Sequence, residues 1–82
     1  MKMDRIYWTY DEETDTIYIQ FSQNKVRRLD NINEKVRVHY SEDDNIVGIE
    51  FFNTKGGIKV SGLPYEELLR KKLKHRGSLV LD

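Results

Sequence analysis

Two histidines, His39 and His75, are the first residues to question for acid–base chemistry. His39 falls on the polar side of an alternating segment, two residues after Arg37. A hairpin joining 36–41 to 46–53 sets Glu50 across from Arg37, and Tyr7 and Tyr18 join the set if a first hairpin adjoins it. Such a group could hold an anion or move a proton, given a pocket and a shifted pKa. A histidine on a strand surface is ordinarily only that, so no catalytic residue is assigned. No G-x-S-x-G, P-loop, H-E-x-x-H or G-x-G-x-x-G occurs, and Gly56-Gly57 alone is too little for a phosphate cradle. The chain has no cysteine, hence no thiol nucleophile, no disulfide and no cysteine-ligated zinc.

Hard cations want several carboxylate oxygens, and two acidic turns offer them: Asp11, Glu13 and Asp15, then Glu42, Asp43 and Asp44. The first lacks the glycine and the closing glutamate of a calcium loop, since Thr16 and Ser22 stand there. Turn residues satisfying local hydrogen bonds are the simpler reading. No cofactor is expected, and calcium remains a minor alternative. A basic run, Arg70, Lys71, Lys72, Lys74 and Arg76, could grip phosphates with a salt-dependent affinity. Complementing the negative end of a helix explains it as well, and no aromatic interleaves it to stack bases. Nucleic-acid binding is therefore the second reading.

These residues need elements to place them. The chain has 82 residues, enough for a single small domain over 1–82. It contains nine aromatics and no alanine, which favours a pleated, half-buried sheet over helices. Ile6, Trp8 and Tyr10 alternate, then a turn, then Ile17, Ile19 and Phe21 alternate; pairing Tyr10 with Ile17 brings the two apolar faces together. In the second hairpin a four-residue loop pairs Ser41 with Ile46, Tyr40 with Val47, Val38 with Ile49 and Val36 with Phe51. Between the hairpins, 26–32 breaks its alternation, which a bulge or an edge position explains. Ile58 to Val60 offers a short sixth strand, with Val60 beside Phe51.

A helix over about 63–76 follows, with Pro64 in its first turn, Glu66 and Glu67 at the positive end of the dipole, and Gly77 as its stop. Tyr65, Leu68, Leu69 and Leu73 make a narrow apolar stripe. The expected fold is α+β: a five- or six-stranded antiparallel sheet with one C-terminal helix on its apolar face. The apolar tail 78–82 reads as a final edge strand or a docking segment.

Tyr10-Asp11, Asp15-Thr16-Ile17-Tyr18-Ile19 and Val47-Gly48-Ile49-Glu50, in that order and spacing, resemble domain-of-unknown-function family 2283 over about residues 5–53. The resemblance implies a small, sheet-rich prokaryotic or phage-associated protein with no assigned activity. Members look like companions of a second small protein, similar to toxin–antitoxin pairs. No catalytic residue comes with the family. It favours structural roles for Asp15, holding the turn, and Glu50, facing Arg37.

The sequence thus points to a non-catalytic protein-interaction module, binding itself or a small partner protein. Its candidate contacts are Tyr7, Tyr18, Arg37, His39 and Phe52 on the outer sheet face, with Leu79 and Leu81 in the tail. No apolar run approaches the ~20 residues of a membrane span and no signal-peptide pattern is present, so a cytoplasmic protein is expected. Lys+Arg and Asp+Glu balance at 14 each. Residues 1–69 carry 9 positive and 13 negative charges and residues 70–82 carry 5 and 1, so an acidic sheet faces a basic C-terminal end.

Overall fold

In the computed structural model, which describes residues 6–81, the alternating segments become five strands. They are β1 (Tyr7–Asp11), β2 (Thr16–Gln20), β3 (Arg28–Asn33), β4 (Val36–Tyr40) and β5 (Ile46–Phe51). All neighbours are antiparallel, in the order β1-β2-β5-β4-β3, so the two hairpins join along β2 and β5. Period two puts Ile17, Ile19, Val36, Val38, Ile49 and Phe51 on one face, and all six are buried. Ile58, Val60, Leu63, Leu69 and Leu73 complete this core from the chain that follows the sheet. Burying each such side chain contributes about 1.5–3 kcal/mol, opposed by the conformational entropy lost on folding.

Both hairpin registers match the sequence pattern over most of their length. Tyr10 pairs with Ile17 and Trp8 with Ile19; Val36 pairs with Phe51, Arg37 with Glu50 and Val38 with Ile49. At the far end the expected register fails. Tyr40 pairs with Ile46 rather than Val47, because Val47 is an extra residue in β5. Its carbonyl accepts the N–H groups of Phe21 (2.7 Å) and Ser22 (3.2 Å), so the irregularity serves the β2 junction. The turn closes one residue tighter than expected, with the Ser41 N–H on the Asn45 carbonyl at 2.8 Å. Strand β3 is both irregular and peripheral: the register shifts between Asn31 and Asn33, and every residue is exposed at the sheet edge.

The expected sixth strand is corrected. β6 (Ile58–Lys59) does not extend the main sheet; it pairs in parallel with β7 (Val80–Leu81) in a separate two-stranded sheet. A 3-10 turn at Thr54–Gly56 and Gly57, at φ 105°, redirect the chain after β5. A β-carbon on Gly57 would fall 2.5 Å from Leu81 Cγ, so the glycine admits the tail.

The helix, α1 (Glu66–His75), starts later than expected. Pro64 lies in the turn before it, and Tyr65 takes a left-handed backbone (φ 58°) that interrupts the helical path. That conformation accompanies a stack of the Tyr65 ring on Phe21, with centroids 4.8 Å apart. Tyr65 is therefore half exposed rather than part of the buried stripe, which narrows to Leu69 and Leu73 with Leu68 at its margin. Glu66 accepts the Gly62 N–H at 3.0 Å and pairs with Arg70 at 2.8 Å, securing the first turn. At the other end Gly77 (φ 83°) donates to Lys74 (3.0 Å) and Ser78 to Leu73 (2.9 Å), using carbonyls the helix leaves open.

Candidate interaction face

The helix, β6 and β7 lie on one side of the sheet. On the other side, residues of opposite parity from β2, β4 and β5 converge. Tyr18 and Arg37 stand directly across β5 from Glu50, one on each flank. His39, next along on Arg37's face, reaches diagonally: its Nε2 lies 2.5 Å from Glu50 Oε1. Arg37 Nη1 is 3.5 Å from the same oxygen, while its Nε donates to Asn31 Oδ1 at 2.9 Å. The guanidinium also lies 5.2 Å from the centre of the Phe52 ring, within cation–π range. One carboxylate thus organises a histidine and an arginine, and an aromatic ring flanks the pair.

The Tyr18 ring closes the cluster from the β2 side. It meets the His39 ring at 5.1 Å, tilted by 56°. It gets there by leaning across Gly48, which pairs with both Gln20 and His39. A β-carbon on Gly48 would lie 2.7 Å from Tyr18 Cε1, inside any normal contact. Burial raises the Tyr18 phenol pKa above its ordinary value, and the Glu50 carboxylate adds to the shift. Both effects favour the neutral phenol, a polar tip on an apolar ring. The depression beside it, lined by Thr9, Tyr18, Glu50 and Phe52, is shallow and open.

A second cluster holds the first turn. Asp15, at φ 52°, accepts from Thr54 Oγ1 (2.6 Å), the Tyr10 hydroxyl (2.9 Å) and the Lys55 N–H (2.9 Å). The Thr54 hydrogen bond, then the Lys55 N–H, pull the Asp15 pKa below its ordinary value. The same contact with Asp15 pushes the Tyr10 phenol up. Asp15 therefore stitches the β1–β2 turn to the segment after β5.

Of the residues singled out by sequence, the structure gathers Tyr18, Arg37, His39, Glu50 and Phe52. Tyr7 shares their face but stands on edge strand β1, opposite Gln20, and is exposed. The tail does not belong to this face. Leu79 is exposed beside Trp8, Tyr10 and Arg76 on the helix side, and Leu81 is committed to β7. In the basic run, Arg70 is tied to Glu66 and Arg76 lies 4.8 Å from the centre of the Trp8 ring, while Lys71, Lys72 and Lys74 are exposed.

The acidic turns sit at opposite ends of the sheet, since β2 begins beside the end of β5. Asp11 accepts the Glu13 N–H, and Asp44 pairs with Arg28 at 3.3 Å. Among the described residues, no three His, Cys, Asp or Glu are grouped to hold a metal ion. Nor is any described helix long and apolar enough to cross a membrane.

Gly48, Asn31 and Thr54 were missed by sequence reasoning. Gly48 carried a signal, a glycine inside an otherwise regular strand, which marks a close approach. The other two depend on contacts between distant segments. Comparison with known proteins bears on the same residues: the model of a family described as Protein of unknown function (DUF2283) matches residues 8–55. No curated protein and no solved structure matches the chain.

Proposed function

The chain belongs to the family described as Protein of unknown function (DUF2283), and from that premise we propose that it is a small, non-catalytic, cytoplasmic protein-interaction module. Its outer sheet face binds protein, either a second copy or, by analogy with the family, a second small protein. The observation that supports this reading is the face itself. Among the described residues no helix or strand packs on it, yet it carries Tyr18, Phe52, Arg37 and His39 held by one another around Glu50. Aromatic and arginine side chains with restricted rotamers contribute contact area at low entropic cost, as interface centres require. Tyr18 and Phe52 are only partly covered by their own chain, so a partner has apolar surface left to bury.

The test is capture from native lysate by the wild-type chain and by a chain carrying Arg37→Ala and Phe52→Ser, with captured proteins identified by mass spectrometry. Both chains are first checked for the same fold by circular dichroism. A partner held by the wild type and lost by the variant is expected. Equal capture by both chains refutes the outer face as the binding surface.

A further inference from the structure

We propose that a second copy of this chain pairs with the first along the outer edge of β3, antiparallel and centred on Leu29. This surface is separate from the outer-face reading above. Three observations fix the arrangement. The first is which backbone groups are free. The Lys35 carbonyl accepts from Phe52 in the β5 direction, and the Tyr40 carbonyl accepts from Arg27 in the β3 direction. Antiparallel ladders alternate, so Val36, Val38 and Tyr40 direct their N–H and C=O groups toward β3. Their partners Arg28 and Asp30 spend theirs on β4, which leaves those of Leu29 and Asn31 pointing outward from the sheet edge.

The second observation is charge. Pairing through outward groups can set Leu29 on Leu29, Leu29 on Asn31, or Asn31 on Asn31. The last puts the irregularity between Asn31 and Asn33 against the axis from both sides. The second sets Asp30 against Asp30. Of the two registers clear of the irregularity, the first alone is complementary, because Arg28 of each copy then faces Asp30 of the other, twice by symmetry. Arg28 is already held on the helix side of the sheet, 3.3 Å from Asp44 and 4.3 Å from the centre of the Tyr40 ring.

The third is apolar exposure. Leu29, Ile32 and Val26 are 51%, 45% and 37% exposed, unusual for three large aliphatic side chains in seven residues. The same register sets Leu29 on Leu29 across the axis, with Val26 and Ile32 at the two ends of the contact. The contact is short, as the strand irregularity ends it, so the dimer is a weak one and both outer faces stay open side by side.

Sedimentation velocity over a micromolar-to-millimolar concentration series tests the proposal. The wild type is expected to shift reversibly from monomer to dimer. Arg28→Asp and Asp30→Arg, each alone, set like charges across the axis and are expected to remain monomeric. Mixed in equal amounts, the two variants oppose two carboxylates with two guanidinium groups, and a 1:1 heterodimer should form. Leu29→Pro removes an outward N–H without touching the β3–β4 ladder and should abolish pairing with the fold intact. A wild type that stays monomeric at millimolar concentration overturns the proposal. So does a dimer that survives the single charge variants, or a mixture that stays monomeric. Arg28 and Asp30 lie on the helix side, so the charge variants leave the outer face unchanged and its capture test is read separately.

Discussion

Alanine at Gly48 isolates the contact that shapes the outer face. The backbone at this position is one that any residue adopts, so the strain of the substitution comes from space alone. A methyl group there collides with the Tyr18 ring, which must swing away from His39. Overpacking of this kind costs about 1–3 kcal/mol. Replacing a strand glycine returns about 0.5–1 kcal/mol, so the net loss is about 0–2.5 kcal/mol. In a Tyr18→Ala background the collision is gone and the same substitution should stabilise by about 0.5–1 kcal/mol.

The sign therefore reverses between backgrounds, and the double-mutant cycle reads the collision itself. Urea unfolding of the four chains, followed by the fluorescence of the single tryptophan, Trp8, measures each value. In a domain of this size 1 kcal/mol moves Tm by about 4–8 °C, so thermal melts give a second reading. If Gly48→Ala costs the same with and without the Tyr18 ring, the glycine serves the backbone and not the approach of the ring.

Three further expectations concern polar groups. Asp15, with its lowered pKa, contributes stability that is present above the unfolded carboxyl value and lost as pH falls through the folded one, below about pH 4. Tyr10, with its raised pKa, contributes stability that is present below about pH 10 and lost as pH rises further. Urea midpoints against pH should flatten on the acid side in Asp15→Asn and on the alkaline side in Tyr10→Phe; unchanged profiles count against the cluster. Among the described residues the buried Ser41 hydroxyl has no hydrogen-bond partner, so Ser41→Ala should be neutral or stabilising by up to about 1 kcal/mol. A clear loss in its urea midpoint would show that the hydroxyl is satisfied.

Much of the sheet was legible because its signal is local. Alternation and the Arg37–Glu50 pair selected the β4–β5 register, and only where Val47 is added does the pattern mislead. That addition answers to Phe21 and Ser22, which hairpin reasoning within 36–53 does not see. The helix start was misplaced for a similar reason. Pro64 suits a first turn by local preference, but Tyr65 takes a left-handed backbone and stacks on Phe21 from the other end of the chain. β6 was legible as a strand but not in its pairing, since two residues cannot announce a parallel partner some twenty positions away. The site followed the same division: Arg37, His39 and Glu50 come from one hairpin and were grouped by register, whereas the approach of Tyr18 over Gly48 needed the order of strands.

That order has a kinetic meaning. Within the five-stranded sheet, β2 with β5 is the one ladder between strands that are not sequential neighbours. The other ladders close by short turns and are reached in microseconds, while this one must bring together ends separated by the whole of β3 and β4. Forming the β3–β4–β5 meander first shortens that search, because it carries β5 back as one edge of a preformed unit. The zipping of Ile19 onto Ile49 then joins the β1–β2 hairpin and the β3–β4–β5 meander into one sheet. Tyr18 and Gly48 meet along the same seam, so the outer-face cluster exists only where that long-range pairing is made.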